Sequence, residues 1–288
     1  MNELPFIKMH GLGNDFVIID ARSGKPAAGI MFSAAQAAAI ADRRTGVGCD
    51  QLITIEDTPR KDSGGHAFIR IRNADGGEVN ACGNATRCVG AMLLAETGED
   101  QVGLLTGADL LTVKRAGYGL ITVDMGTPLG EWNKIPLAVQ ADTLHLDLSC
   151  GPLSDPAAIS MGNPHATFFV DQVSEIPIAL VGPELENDPI FPERANIGIS
   201  QILAPDRMKL RVWERGVGLT LACGTGACAA VVNANRRDLA GRRMVVEVDG
   251  GELLINWQED RPGELGRVFM TGPAATSFCG ILDQSLLT

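Results

Sequence analysis

The chain of 288 residues carries 24 Lys and Arg against 35 Asp and Glu, a formal charge of −11, with 45% apolar and 20% charged residues. That length accommodates about two domains and a sizeable core, and the composition is that of a globular protein, not a disordered one. The acidic balance, unbroken by any Lys/Arg cluster, argues against nucleic acid and anionic membrane surfaces as partners.

Met1 to Asp20 contains no basic segment followed by an apolar run and a cleavage site, so no signal peptide is predicted. Ala27 to Ala41 is the most apolar stretch, but Ser33 and Gln36 break it and it is too short to span a bilayer. The expectation is a cytoplasmic protein. Its seven cysteines, an odd number in a reducing compartment, then serve packing, metal binding or catalysis and not disulfides. Ile69-Arg70-Ile71-Arg72 alternates like a half-buried strand and leads through Ala81-Cys82-Gly83 into a predicted helix from Asn84 to Glu96, before Gly98. Leu110 to Lys114 and Gly119 to Asp124 read as a hairpin. A linker is predicted near Gly126 to Asp142, where Pro128, Gly130 and Pro136 interrupt periodicity. The pattern then recurs. Leu210-Arg211-Val212-Trp213 alternates, Ala222-Cys223-Gly224 follows, and Thr225 to Arg237 is helical, with small apolar residues around most of its circumference and burial expected on most sides. A second hairpin pairs Met244 to Val248 with Glu252 to Trp257 across Asp249-Gly250-Gly251.

This recurrence is a duplication. Ile69 to Gly83 aligns with Leu210 to Gly224 at an offset of 141, matching Arg70 with Arg211, Gly77 with Gly218, and the two Ala-Cys-Gly triplets. Arg44 to Ile53 aligns with Arg194 to Leu203 at an offset of 150, and Gly13-Asn14 with its run to Asp20 stands beside Gly162-Asn163 and its run to Asp171. The fold class is therefore α+β: two homologous domains, each a strand-rich barrel or roll wrapped around a central helix, related by a pseudo-twofold axis. The expected domains are 1–125 and 126–274, with 275–288 packing back on the first.

Cys82 and Cys223 each stand in a Gly-containing turn before a helix. There the positive end of the macrodipole favours thiolate, so their pKa values are expected to fall. The same amides can bind a carboxylate, with Gly83 and Gly224 allowing close approach. One such cysteine is as well explained by packing at a tight turn. Two of them, facing one cleft from opposite sides, suit the inversion of a carbon acid, in which one group removes a proton and another delivers one to the opposite face. Metal binding by Cys82 with Cys88, or Cys223 with Cys228, is disfavoured because those pairs stand about 120° to 140° apart around a helix. A dinucleotide site at Gly224-Thr225-Gly226 lacks both a sister Gly-x-Gly and a surrounding βαβ repeat. The other five cysteines, Cys49, Cys88, Cys150, Cys228 and Cys279, read as packing or incidental thiols.

Longer motifs carry a resemblance. Lys8-Met9-His10-Gly11-Leu12-Gly13-Asn14-Asp15-Phe16, Asn73-Ala74-Asp75-Gly76 with Ala81-Cys82-Gly83-Asn84, Met161-Gly162-Asn163-Pro164-His165, Phe191-Pro192-Glu193-Arg194 with Asn196, and Trp213-Glu214-Arg215-Gly216 with Ala222-Cys223-Gly224 closely resemble the diaminopimelate epimerase family, in order from Lys8 to about Gly272. The resemblance implies a pyridoxal-independent isomerase that interconverts LL- and meso-diaminopimelate in lysine and peptidoglycan biosynthesis. It implies no cofactor and no metal, a small-molecule amino-acid substrate, no nucleic-acid or membrane partner, and a homodimer. By position, Cys82 and Cys223 resemble the catalytic acid/base pair, and Gly83, Asn84, Gly224 and Thr225 the cradle of the reacting carboxylate. Asn14, Gln51, Asn73, Asn163, Asn196, Glu214 and Arg215 correspond to residues that bind the substrate's distal end, and His165 and Glu214 to a pair that tunes the thiols.

Outside the resemblance, simpler readings stand beside these. Asn14 and Asn163 serve equally as turn residues, and Asn196 as a loop residue or cap. Glu214-Arg215 serves as a solvated pair, and His165 as a turn histidine. Asp50 and Asp75 read as structural. Leu219 stands where Glu is common in the family, and Phe278-Cys279-Gly280 where Tyr-Asp-Gly is common at dimer contacts. Two other readings remain: a relative of the same fold acting on another amino acid, such as a racemase or 3-hydroxyproline dehydratase, and a non-catalytic binding module. Only the enzymes need paired thiols.

Overall fold

Alternation in the sequence becomes half-buried strand in the computed structural model, which describes residues 4–59, 64–259 and 266–287. Across Ala67–Asn73, Ala67, Ile69 and Ile71 are buried while Phe68, Arg70 and Arg72 are partly exposed. The chain divides into two units, Met1–Val123 with Gly272–Thr288, and Asp124–Thr271. Residues 1–3, 60–63, 260–265 and 288 of the expected halves lie outside the described residues.

The first unit runs β1 (Leu4–Gly11), β2 (Asn14–Asp20), α1 (Ala34–Ala41), β3 (Gln51–Glu56), β4 (Ala67–Asn73), β5 (Glu78–Val79), α2 (Gly83–Thr97), β6 (Gln101–Leu105), β7 (Leu110–Arg115) and β8 (Leu120–Asp124). β2 pairs antiparallel with β1 and parallel with β3. β4 pairs antiparallel with β3 and β5 and parallel with β6, after which β6, β7 and β8 form an antiparallel meander.

The second unit opens with a short hairpin, β9 (Ser149–Cys150) and β10 (Leu153–Ser154). It continues through β11 (Ala157–Ser160), β12 (Pro164–Phe169), α3 (Ile178–Glu186), β13 (Asn196–Ala204), β14 (Arg207–Glu214), β15 (Gly218–Thr220), α4 (Gly224–Arg236), β16 (Arg243–Val248), β17 (Gly251–Gln258) and β18 (Arg267–Pro273). From β11 to β18 every pairing of the first unit recurs in the same order and direction. The last strand, β19 (Ala275–Leu282), pairs antiparallel with β1 and brings Leu282 into the core formed by Leu4, Phe6, Val17 and Leu52.

The ladders decide which residues of the two units are equivalent. Gln51 stands opposite Asn73 in the first unit, and Leu52 opposite Arg72. In the second, Ile197 stands opposite Trp213. The offset of 141 between β4 and β14 therefore holds. The offset of 150 for the preceding strand does not: Gln51 pairs with Phe16 on β2 as Asn196 pairs with His165 on β12, so Gln51 corresponds to Asn196 and not to Gln201. The shared Arg, Gly and Gln align a loop in one half with a strand in the other, which residue spacing alone could not distinguish.

The central helices fill each unit. Residues 83–90 of α2 and 226–234 of α4 are buried without a break. Small residues permit this: a Cβ at Gly90 would fall 2.4 Å from Val113 on β7, and one at Gly226 would fall 2.9 Å from Val212 on β14. The expected linker is instead a packed part of the second unit. It lacks periodicity, yet Ile135 and Leu137 join Leu146, Phe168 and Ile197 in one core cluster. Arg236, in the last turn of α4, donates to Ala158 O and to Thr143 Oγ1, both at 2.8 Å, and Thr143 donates in turn to Gly130 O at 2.8 Å. A cation at a helix C-terminus suits the dipole as well as those carbonyls.

Candidate active site

In the first unit the site begins at a tight hairpin. Leu12 and Gly13 both have left-handed φ, +58° and +83°, which turns β1 into β2 and places Asn14 at the strand's start. The Asn14 amide donates to Asp50 Oδ2 at 2.8 Å. A carboxylate only accepts, so the carbonyl end of Asn14 is directed at the start of α2. There it accepts from Asn84 Nδ2 at 3.2 Å and from the Cys82 thiol at 3.9 Å. Cys82 is the partly exposed N-cap of α2 and makes no side-chain capping bond. On the neighbouring strands Gln51 Nε2 donates to Asn73 Oδ1 at 2.9 Å, while Gln51 Oε1 is buried without a hydrogen-bond partner among the described residues. Behind Asn14, Asp15 takes Lys8 at 2.6 Å and Arg43 at 2.7 Å. Burial opposes ionisation of Asp15, but hydrogen bonds and charge from Arg43 and Lys8 outweigh it and lower the pKa to about 2.

The second unit builds the equivalent corner from different residue types. Gly162, with φ +88°, precedes Asn163. His165 is fully buried, and burial followed by the charge of Arg215 lowers its pKa to about 3, so the imidazole is neutral. Its Nε2 lies 2.9 Å from Asn163 Oδ1, which makes that nitrogen the donor. Asn163 Nδ2 then donates to Thr225 Oγ1 at 3.4 Å, and Thr225 Oγ1 lies 3.6 Å from Cys223 Sγ. Cys223 caps α4, its sulfur accepting the Gly226 N–H at 3.4 Å. Asn196 donates to Pro164 O and accepts the Arg215 amide, both at 3.0 Å. Glu214 accepts from the Thr220 hydroxyl, and Arg215 donates to Glu193 O at 3.0 Å.

By strand register and helix start the two sets correspond: Asn14 with Asn163, Gln51 with Asn196, Asn73 with Glu214, Cys82 with Cys223, Gly83 with Gly224, and Asn84 with Thr225. The second half alone adds charge, with Glu214 and Arg215 where the first has Asn73 and Ala74. Three expectations change. The Cys223 thiol is not lowered: burial, then the charge of Glu214, pushes it well above the ordinary thiol value against the opposing bonds from Thr225 and Gly226. Asn196 is not in a loop but opens β13, 3% exposed. His165 lies inside β12 and not in a turn.

Among the remaining thiols, Cys49, Cys88, Cys150 and Cys228 are buried and Cys279 is exposed. No group of three or more His, Cys, Asp or Glu among the described residues is placed to hold a metal ion, and no helix among them is long and apolar enough to cross a membrane. Two contributors escaped the sequence reading. Asp50, read as structural, orients Asn14, and its place immediately before Gln51 was the only signal. Glu186, at the end of α3, accepts from Trp213, Gly216 and Arg194 around the Glu214-Arg215 turn and lies in no motif.

A family model for diaminopimelate epimerase matches residues 6–129 and 157–277, which include every residue of both corners. The chain belongs to the diaminopimelate epimerase family. Within that family, the diaminopimelate epimerase of Acidiphilium cryptum is 56% identical over 283 residues, covering 98% of each chain. That of Phenylobacterium zucineum is 51% identical over 282 residues, covering 96% of this chain and 97% of the relative. Solved structures share the fold at low identity. A phenazine biosynthesis protein of the PhzF family from Bacillus anthracis gives a TM-score of 0.68 at 16% identity, covering 98% of this chain and 99% of that one. A hydroxyproline epimerase from Agrobacterium vitis gives 0.65 at 17%, covering 98% and 94%.

Proposed function

We propose that this chain is an isomerase interconverting LL- and meso-2,6-diaminopimelate without pyridoxal phosphate, through a proton exchange between Cys82 and Cys223. The observation that carries this reading is the pair of equivalent cysteine N-caps, each opening a central helix whose first amides, Gly83 with Asn84 and Gly224 with Thr225, are given no acceptor by the helix itself and would take a carboxylate. One sulfur, as thiolate, takes the α-proton. The electron pair of the broken C–H bond is spread into the carboxylate, which the helix amides stabilise, and the other thiol gives its proton to the opposite face. The product leaves with the thiol and thiolate interchanged.

Glu214 and Arg215 supply the carboxylate and the guanidinium that a distal ammonium and carboxylate require, and Asn14, Asn73, Asn163 and Asn196 supply neutral donors and acceptors. The buried Gln51 Oε1 is an acceptor suited to an ammonium N–H. His165 acts as a neutral donor that orients Asn163 and, through it, Thr225 beside Cys223. The protein is proposed to work in the cytoplasm, where both thiols stay reduced. A homodimer through β19 is proposed as well, supported by the exposure of Phe278 (50%) and Ile281 (56%) on that strand. A monomeric mass by light scattering at micromolar concentration would overturn the dimer.

In heavy water, LL-diaminopimelate should give meso product and gain deuterium at one α-carbon with no pyridoxal phosphate present. Cys82→Ala and Cys223→Ala should each abolish net epimerisation, and full activity in either variant would refute the two-thiol exchange. Exchange with a different amino acid, but none with this one, would move the substrate assignment to another acid and retain the chemistry.

A further inference from the structure

Glu186 is the last residue of α3, is only 5% exposed, and gathers three donors from two segments onto one carboxylate. Its Oε2 accepts the Trp213 indole N–H at 2.8 Å. Its Oε1 accepts the Gly216 amide at 2.8 Å and the Arg194 guanidinium at 3.2 Å. Trp213 and Gly216 bracket Glu214 and Arg215 directly, and Arg194 stands two residues before Asn196, whose Oδ1 receives the Arg215 amide. Glu214 and Arg215 therefore each lie next to a residue that this side chain holds, and Asn196 lies two residues from a third.

The packing around Trp213 is tight enough for such a tie to set position. A Cβ at Gly182 would come 2.6 Å from the indole, so α3 and the ring meet at a distance that only glycine permits. Both Arg194 (φ +60°) and Gly216 (φ +74°) are left-handed, and such turns persist where neighbouring structure holds them. A carboxylate offers acceptors on both oxygens to three donors. A glutamine in its place would turn an N–H₂ toward an N–H on one side or the other.

We propose that Glu186 is a positioning residue that sets specificity for the charged distal end of the substrate: by clamping Trp213, Gly216 and Arg194, it fixes the turn that carries Glu214 and Arg215. This rests on the diaminopimelate reading above. No contact between Glu186 and substrate is invoked.

The test uses Glu186→Gln and Trp213→Phe in the full chain, with α-proton exchange measured by NMR in heavy water. Two substrates are compared, LL-diaminopimelate and 2-aminopimelate, which keeps both carboxylates and lacks the distal ammonium. For diaminopimelate kcat/KM should fall about 10- to 100-fold, the worth of one charge-assisted hydrogen bond, and mainly through KM. For 2-aminopimelate, which still calls on Arg215 but not on Glu214, the loss should be at least about threefold smaller, so that the ratio between the substrates narrows. Equal losses on both substrates, or no loss in either variant, would overturn the proposal. Trp213→Phe removes a single donor and serves if Glu186→Gln does not fold. Amide deuterium uptake over residues 213–217 should also rise in the variants, and unchanged protection would overturn the clamp. A wild-type protein that exchanges neither substrate would refute the diaminopimelate reading, while the uptake measurement would still decide whether Glu186 holds the turn.

Discussion

Cys223 is subject to two opposing forces of unequal size. A helix N-terminus favours an anion by at most about 2 kcal/mol, whereas full burial shifts a pKa by as much as about 3 to 5 units. Burial and the neighbouring Glu214 carboxylate win, and the thiol stays protonated. Alkylation of Cys223 by iodoacetamide at pH 8 should accordingly be at least about tenfold slower than that of an unstructured thiol, as peptide mass spectrometry would show; equal rates would contradict the raised value. The motif made the dipole legible in the sequence, but the burial depends on strands arriving from elsewhere and was not. His165 makes a parallel case in acid. Its folded pKa of about 3 lies below its ordinary 6.5, so between those values the unfolded chain holds the additional proton. Stability is then complete above about pH 6.5 and declines toward pH 3, by up to about 1.4 kcal/mol per pH unit from this residue. His165→Gln should flatten that slope in urea unfolding series, and an unchanged slope would place the histidine's proton elsewhere.

At the scale of elements, α2 and α4 are held by small residues at close approach, so added volume should be felt in different ways. Gly90→Ala brings a Cβ against Val113, about two turns along α2 from Cys82, and should cost about 1 to 3 kcal/mol in urea unfolding with kcat retained in the folded fraction. At Gly226 the added Cβ would also lie 3.2 Å from the Cys223 sulfur. Gly226→Ala should therefore lower kcat by more than its stability loss explains, as exchange assays at matched folded fraction would show. The helices, the hairpins and the Ala-Cys-Gly turns were legible because each repeats a local period or an identical triplet. The match of Gln51 to Asn196 was hidden because the two residues differ in type and only ladder register relates them. The segment from Gly126 to Asp142 was misread for a similar reason: its order comes from Arg236 and from a shared core, neither of which leaves a mark on local periodicity.

Across the whole molecule, duplication explains both the common architecture and its asymmetry. Two corners of equivalent geometry carry two thiols, while the second has an acid and a base, Glu214 and Arg215, where the first has Asn73 and Ala74. An enzyme built this way should lose recognition and chemistry separately. Arg215→Lys keeps the charge but loses the planar fork, and should raise KM by at least about tenfold while both thiols remain competent to exchange an α-proton; an unchanged KM would remove Arg215 from substrate binding.

The placement of β19 in the first unit bears on how the protein is made. β1 is synthesised just before β2, its first antiparallel neighbour, yet its second, β19, arrives only when Ala275–Leu282 has been made. The second unit, continuous from Asp124 to Thr271, can close beforehand, while the half translated first waits with one flank of β1 exposed. A nascent chain stalled before residue 275 should therefore protect the second unit from protease and leave the first open to cleavage. The half that is synthesised first is the last to be completed.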